Sequence, residues 1–228
     1  MTGLFFLSRS SFFFLARIVF ITLFFFRLTV GSSQKNCVLR KDRDSIKVYT
    51  CDAAQSKFKF IKASFTLNTK LSHLAAFLMD IDNYGDWEYK TINARILQKI
   101  SDVEMVYYTE IVAPWPVSNR DLVIHLKMNQ DPKTKVTTIT ANSVPDFCPR
   151  KEDIVRVPFS TSQWTIVQEA PSKLSIEYSI EIDPGGSVPA WLVNMVAAQA
   201  PYESFKNLRD KIQFRNYKKE TVPSVSDY

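Results

Sequence analysis

Two segments in the second half of the chain alternate between apolar and more polar positions. They are Asp121–Met128 (DLVIHLKM) and Leu174–Ile182 (LSIEYSIEI). A period of two places one face of a strand on a core and the other toward solvent, which is typical of antiparallel sheets. The apolar positions are Leu122, Ile124, Leu126 and Met128 in the first segment, and Leu174, Ile176, Tyr178, Ile180 and Ile182 in the second. The chain therefore has to cover the dry face of a sheet with another element.

The remaining pattern extends this sheet. Further strand candidates are Ser45–Cys51, Lys57–Leu67, Ile92–Ile100, Glu104–Val112, Lys135–Val144 and Ser162–Glu169. In Lys57–Leu67 the apolar positions change parity, which predicts a bulge or a strong bend. Lys70–Asp80 instead carries apolar residues at helical spacing, and Asn68 or Thr69 is placed to cap that helix.

A long amphipathic helix is predicted near the C-terminal end. It begins after Asp183–Gly186, with Pro189 in its first turn, and its apolar residues recur at steps of three and four up to Ile212. Pro201 is predicted to kink it. The order of elements indicates an α+β fold in which a curved antiparallel sheet is covered by the final helix. Such a sheet encloses either a filled core or a cavity.

The first 33 residues, Met1–Ser33, differ from the rest of the chain. They hold 9 of the 17 Phe residues and no Asp or Glu, and the mostly apolar run between Arg17 and Arg27, Ile18–Phe26, is only 9 residues long. That run is short for a membrane span of about 20 residues but suits a secretory signal. We therefore expect cleavage before Gln34 and an exported, periplasmic or secreted protein. An uncleaved membrane anchor over Ser10–Phe26 is the alternative.

The net charge of +6 overstates how basic the mature protein is. Three of the cations lie in the leader, so the remainder carries only +3, which does not favour a nucleic-acid partner. We expect one domain over residues 34–216, followed by a polar flexible tail over 217–228.

The chain contains three cysteines, Cys37, Cys51 and Cys148. An odd number without CxxC spacing favours three unrelated thiols and argues against a zinc or redox site. A Cys37–Cys51 disulfide in an oxidising compartment remains the alternative. We expect no metal and no cofactor.

Four segments resemble, in order, motifs of the START family of lipid transfer domains. Asp44–Thr50 (DSIKVYT) is similar to its opening strand, with Ser45 in place of Gly, and Tyr84–Trp87 (YGDW) to its Y-x-x-W segment. Pro114–Asp121 (PWPVSNRD) is similar to its P-x-SxRD hairpin, and Asp183–Asn194 (DPGGSVPAWLVN) to the entry of its C-terminal helix. The resemblance covers about residues 38–212. It implies a helix-grip fold with an internal tunnel for one apolar ligand.

Arg120 is the first candidate for a ligand-binding residue. In family members an Arg at this position often lies in the cavity, and Arg120 also shares the inward parity of Leu122. A buried guanidinium needs a partner, and Glu110 is the candidate. The alternative is a structural role for Arg120, pinning the hairpin to Asp121 or to a helix end. The other predicted lining residues are Tyr108, Leu122, Ile124, Trp164, Ile176, Tyr178, Trp191 and Met195.

The sequence contains no pattern that points to catalysis. His73 and His125 lie off the apolar faces of their elements, and the chain has no HExxH, GxSxG or phosphate-binding loop. We therefore predict a non-catalytic, monomeric protein that binds and transfers a lipid or other apolar molecule. It would contact membranes transiently, and Trp115, at a hairpin tip between two prolines, suits such a surface. The alternatives are a helix-grip enzyme acting on an apolar substrate and a scaffold with a filled interior.

Overall fold

The computed structural model describes residues 36–53, 56–214 and 222–227. They form one curved sheet around a C-terminal helix. The predicted leader, Met1–Ser33, lies outside the described residues. The strands are β1 (Cys37–Arg43), β2 (Ile46–Cys51), β3 (Phe60–Leu67), β4 (Thr91–Lys99), β5 (Glu104–Ile111), β6 (Arg120–Gln130), β7 (Thr137–Ser143), β8 (Val155–Arg156), β9 (Phe159–Ala170) and β10 (Lys173–Asp183). The α-helices are α1 (Leu71–Met79), α2 (Ala190–Val196) and α3 (Gln199–Phe214), and a 3₁₀ helix spans Ile81–Asp86.

The described strands form a single sheet in the order β1-β2-β3-β10-β9-β7-β6-β5-β4. Neighbours along this path are antiparallel, and the short β8 pairs in parallel with β6. The predicted α+β helix-grip architecture is thus confirmed. Among the described residues, no helix is both long enough and apolar enough to cross a membrane.

The strand predictions missed β1 and the two-residue β8, and they placed a bulge in β3 that is absent. Sequence reasoning missed β1, because this edge strand is mostly exposed and lacks an apolar face to alternate. The bulge predicted in Lys57–Leu67 is absent: β3 begins at Phe60 and pairs with both neighbours without a register shift. The buried Phe58, which suggested the change of parity, precedes the strand.

The predicted long C-terminal helix is divided into α2 and α3. The break lies at Ala197–Ala198, and Pro201 is the third residue of α3. Proline is tolerated in the first turn of a helix because the missing N–H has no intrahelical acceptor there. Pro201 therefore starts a helix and does not kink one.

Helix α3 packs its apolar stripe onto the inner face of the sheet. Phe205 lies at the centre of this contact and is 2% exposed. Its ring stacks on Phe65 at a centroid distance of 4.5 Å and meets Trp164 and Tyr178 edge-on at 5.2 and 5.1 Å. Aromatic contacts of this kind add to the stabilisation from area burial alone.

The sequence favoured three unpaired cysteines, and this prediction is wrong. Cys37 and Cys51 are bonded as a disulfide, and Cys148 is free. Cys37 and Cys51 are paired directly across β1 and β2. This pairing could not be predicted, because the sequence pattern did not reveal strand β1.

Residues 222–227 are packed against the rest of the structure, although they lie within the polar flexible tail predicted over 217–228. Within residues 222–227, Val222 and Val225 are buried in the core. The Asp227 carboxylate accepts hydrogen bonds from the backbone N–H and the hydroxyl of Ser72, at 2.9 and 2.8 Å. Neither predicted cap, Asn68 nor Thr69, caps α1 through its side chain. The first turn of that helix is instead satisfied from the other end of the chain.

Candidate ligand cavity

A cavity of about 410 Å³ lies between the inner face of the sheet and the C-terminal helices. Six strands supply its walls, and α2 and α3 close it. Among the wall residues are Ile61, Tyr107, Leu126, Ile139, Trp164 and Ile180. The volume falls within the range of roughly 300–1,000 Å³ that is typical of small-molecule sites. Of the two possibilities left open by the sequence, the fold therefore encloses a cavity.

Cross-strand pairing decides which side chains reach this interior. Tyr107 pairs with Ile124, and Tyr108 pairs with Val123. Paired residues of antiparallel strands project to the same face of the sheet. Because Tyr107 lines the cavity, Tyr108 projects to the outer face.

Five of the predicted lining residues lie in the interior, but only two reach the cavity. Trp164 and Tyr178 are part of its wall. Leu122, Ile124 and Ile176 are buried in the same hydrophobic core without lining the cavity. The alternating pattern predicted which side chains of β6 and β10 face the interior. It could not predict which of those side chains border the cavity.

Trp191 and Met195 are placed differently from the prediction. Their side chains are 68% and 67% exposed, whereas Val193 and Ala197 line the cavity. The prediction extended a single helical stripe through the whole C-terminal segment. Because α2 is a separate helix, its inward face is set independently of α3.

Tyr108 and Glu110 are also displaced from the predicted site. Strand β5 is apolar on both faces, so its sequence carries no parity signal. On the outer face, the Tyr108 ring lies between the Arg95 guanidinium at 4.6 Å and the Lys151 ammonium at 4.7 Å. The Glu110 carboxylate accepts a hydrogen bond from Lys151 at 3.3 Å.

Glu110 is therefore not the partner of Arg120. Arg120 is 9% exposed and has the inward parity expected for it, since it pairs with the cavity residue Ile111. Its guanidinium donates to the backbone carbonyl of Ser118. Arg120 itself does not line the cavity.

The outer face carries a fully buried ion pair that sequence reasoning did not identify. Arg156 donates to the two carboxylate oxygens of Asp121 at 2.8 and 3.0 Å, and both side chains are 1% exposed. The same guanidinium donates to the backbone carbonyls of Pro145, Cys148 and Pro149. Hydrogen bonding to Asp121 raises the pKa of Arg156. This pair fixes the loop between β7 and β8 onto the sheet.

Glu88 is the polar residue that distinguishes the cavity. It lines the cavity together with four tyrosines, Tyr84, Tyr89, Tyr107 and Tyr178. Burial raises the pKa of Glu88 to about 7, although a hydrogen bond from the Thr91 hydroxyl at 3.0 Å acts in the opposite direction. Burial also raises the pKa of Tyr84, Tyr107 and Tyr178. The cavity thus offers one carboxyl that changes its charge near neutral pH.

Sequence reasoning missed Glu88. It directly follows Trp87 of the Y-x-x-W segment, so its one signal was an acidic residue beside an aromatic residue that is buried. Nothing in the local pattern shows that this acid faces inward, because its orientation depends on how the Ile81–Asp86 helix packs against β4 and β5.

The described lining of the cavity contains few of the side chains from which metal sites are built. Within the described residues, Glu88 is the only carboxyl among the lining residues, and neither histidine lines the cavity. His125 instead lies beside Glu104, 2.8 Å from its carboxylate. No cluster of three His, Cys, Asp or Glu suited to a metal ion occurs in the described part of the chain.

Comparison with known proteins gives consistent matches over most of the chain. The model of the START domain matches residues 29–219. An uncharacterized protein of Pseudomonas aeruginosa is 28% identical over 179 residues, which is 78% of this chain and 87% of that protein. The phosphatidylcholine transfer protein of Mus musculus is 29% identical over 148 residues, covering 63% of this chain and 66% of that protein.

Solved structures agree with this match. A STAR-related lipid transfer protein fragment from Xanthomonas axonopodis superposes with a TM-score of 0.72 at 30% identity, covering 78% of this chain and 98% of the fragment. Human STARD10 superposes with a TM-score of 0.69 at 22% identity, covering 81% of this chain and 76% of that structure. The second likeness is one of fold alone.

Proposed function

This chain belongs to the START domain family, and we propose that it binds one lipid or other apolar molecule in its cavity and transfers it between membranes. The observation that carries the proposal is the enclosed apolar cavity between the sheet and α2–α3. The names of its relatives support it, since they include phosphatidylcholine transfer proteins and a STAR-related lipid transfer protein.

We propose that the cavity binds without chemistry. Glu88 has a pKa suited to proton transfer. However, catalysis on a bound ligand also needs a nucleophile, a second acid–base group or a group that stabilises developing charge. Within the described residues, the lining around Glu88 is formed largely by apolar and aromatic side chains. Glu88 is better suited to accept or donate a hydrogen bond to the polar end of a ligand.

Exposed apolar residues around the cavity support contact with a membrane. Trp115 is 93% exposed beside the cavity residue Pro114, and Trp191 and Met195 are exposed on α2, whose other face lines the cavity. The Asn194 side chain joins α2 to the backbone of Lys57 and Lys59 by hydrogen bonds of 3.3 and 3.0 Å. Apolar side chains beside lysines suit the interface of an anionic bilayer.

Filling the cavity should abolish ligand uptake. Ala141 lies in the cavity wall on β7, and Ala141→Trp would occupy part of the 410 Å³. We expect at least tenfold weaker binding of a neutral, fluorescently labelled monoacylglycerol, measured by fluorescence titration. Val167→Trp is the matched control, because Val167 is 39% exposed on the outer face of β9. Equal binding by both variants would contradict the proposal.

The same probe tests the membrane-facing residues. Trp115→Ser combined with Trp191→Ser should leave binding in solution unchanged. Transfer of the probe between vesicles should slow by about tenfold, since each indole contributes on the order of 1 kcal/mol or more to interfacial binding. Unchanged transfer would place the membrane contact elsewhere.

We also propose that Met1–Ser33 directs export. The composition of this segment supports a secretory signal. The Cys37–Cys51 disulfide supports an oxidising compartment, where such bonds persist. N-terminal sequencing of the protein from its native host should find a chain that starts at or near Gln34. Intact Met1 protein in the membrane fraction would instead support the anchor.

A further inference from the structure

A second concave site lies on the outer face of the sheet, on the opposite side from the lipid cavity. It is a groove of about 420 Å³ that crosses β2, β3, β10 and β9. Small-molecule sites typically measure roughly 300–1,000 Å³, so the groove is large enough for a ligand of its own. Nothing in the proposed lipid binding makes use of this surface.

Cross-strand pairing explains why the sheet surface is low at this point. Ala63 and Tyr178 are paired and both border the groove, although Ala63 belongs to the hydrophobic core and Tyr178 also lines the cavity. Because their side chains project to the inner face, they offer only backbone to the groove. Ser64 and Ser179 follow this pair on the outer face and have short side chains. The floor is therefore shallow in side chains and carries hydroxyl groups.

Longer side chains form the two sides of the groove. Over β2 and β3 lie the half-buried rings of Tyr49 and Phe60, and over β9 and β10 lie Gln163 and Glu177. The Gln163 amide donates to the Thr165 hydroxyl at 3.4 Å, which holds this side chain on the outer face. Aromatic rings offer a flat apolar surface, whereas amide, hydroxyl and carboxylate groups offer directed hydrogen bonds.

The groove carries one cation and one anion. The Lys62 ammonium lies 5.8 Å from the centre of the Phe60 ring. Lys62 pairs with Ser179, two residues from Glu177 on β10, so the two charged residues are diagonal neighbours about 7–8 Å apart. Within the described residues, neither belongs to an ion pair. Because the two charges cancel, the groove favours a ligand without net charge over an ion.

We propose that this groove binds a short neutral oligosaccharide. A pyranose ring has an apolar face of C–H groups and a rim of hydroxyl groups, which complements aromatic rings beside hydroxyl, amide and carboxylate side chains. From β2 to β9 the groove spans three strand spacings, about 14 Å, which is enough for a di- or trisaccharide. The site adds a polar ligand to the proposed function and does not depend on the lipid cavity.

Isothermal titration calorimetry with free trisaccharides tests the proposal. Cellotriose, maltotriose and triacetylchitotriose differ in linkage and substituents, and at least one should bind wild-type protein with a Kd at or below about 1 mM. Tyr49→Ala should weaken binding of that sugar by about tenfold or more, because it removes a ring from the groove. Tyr49→Phe keeps the ring and should keep most of the affinity. Absence of binding by all of these sugars would overturn the proposal.

Two matched variants on β10 locate the site. Ser179→Trp fills the groove and should abolish sugar binding. Ser175→Trp places the same ring on the same face of the same strand but outside the groove, and it should bind like wild type. Equal binding by the two variants would contradict the assignment. If thermal melts show that Ser179→Trp does not fold, Gln163→Ala becomes the deciding variant, and an unchanged affinity would overturn the proposal.

Further outcomes separate the groove from the cavity and the sugar from other ligands. Ala141→Trp, which fills the cavity, should leave sugar binding unchanged, and Ser179→Trp should leave binding of the labelled monoacylglycerol unchanged. Loss of sugar binding in Ala141→Trp would place the sugar in the cavity and overturn the proposed site. Binding of the zwitterion glycylglycine without binding of any trisaccharide would assign the groove to a ligand that pairs with Lys62 and Glu177, and would overturn its assignment to a sugar.

Discussion

Arg156→Met is expected to lower the free energy of unfolding by about 3–5 kcal/mol, the range found when one partner of a buried pair is removed. The substitution leaves the Asp121 carboxylate, 1% exposed, without the two hydrogen bonds that it accepts from Arg156. It also releases the backbone carbonyls of Cys148 and Pro149, so the loop between β7 and β8 loses its attachment to the sheet. Urea unfolding followed by circular dichroism measures the change.

A second variant distinguishes an uncompensated charge from lost packing. Asp121→Leu combined with Arg156→Met removes both charges and should recover at least half of the loss, because no buried ion then remains. Arg150→Met is the matched control, since its partner Asp146 is 87% exposed in the side chain, and it should change stability by less than about 0.5 kcal/mol. A loss below about 1 kcal/mol for Arg156→Met would refute this account.

Glu88→Gln is expected to stabilise the protein above pH 7 and to have little effect at pH 4. The pKa of Glu88 is raised from 4.5 to about 7 in the folded protein, so the native state binds more protons than the unfolded state between these values. The contribution of Glu88 to wild-type stability therefore falls as the pH rises from 4.5 to 7 and stays lowered above pH 7. At 1.36 kcal/mol per pKa unit, removing the ionisable group should recover up to about 3 kcal/mol at pH 8.5.

Comparison of the two proteins isolates this effect. The charged and titratable groups that line the cavity with Glu88 are Tyr84, Tyr89, Tyr107, Tyr178, Lys59 and Lys90, and they are common to wild type and variant. Their contributions, and those of the histidines, cancel in the difference between the two stability curves. Glu152→Gln, at an exposed position, should show no pH-dependent difference. A difference between wild type and Glu88→Gln that is the same at pH 4 and pH 8.5 would show that Glu88 does not titrate near neutral pH.

The architecture was predictable where one face of an element is wet and the other dry. Strands β6 and β10 alternate clearly, so their inward residues could be assigned from the sequence, although the outer face of β6 is itself buried at Asp121 and Val123. Strand β5 is apolar on both faces, and Tyr108 and Glu110 were therefore assigned to the wrong side. In the C-terminal segment, the spacing of apolar residues predicted helical structure but not the break at Ala197–Ala198, because that break depends on how each helix meets the sheet.

The groups that give the site its chemistry were the hardest to predict. Arg120 was identified through its parity and through the resemblance, but its expected partner lies on the opposite face of the sheet. Glu88 carried no usable signal, because burial of an acid depends on contacts between residues distant in sequence. Hydrophobic periodicity reports which face of an element is dry. It does not report which polar residue the assembled fold will enclose.

The contact between Asp227 and Ser72 has a consequence for the order in which the molecule can assemble. Helix α1 lacks a cap from its own flanking residues and receives one from a residue 155 positions later. Contacts of such large sequence separation form late and slow folding. A chain still being synthesised would hold α1 without its cap until the residues around Val222 and Val225 emerge and close over the core. A segment made 155 positions later thus completes helix α1, and native structure at that end of the sheet has to wait for it.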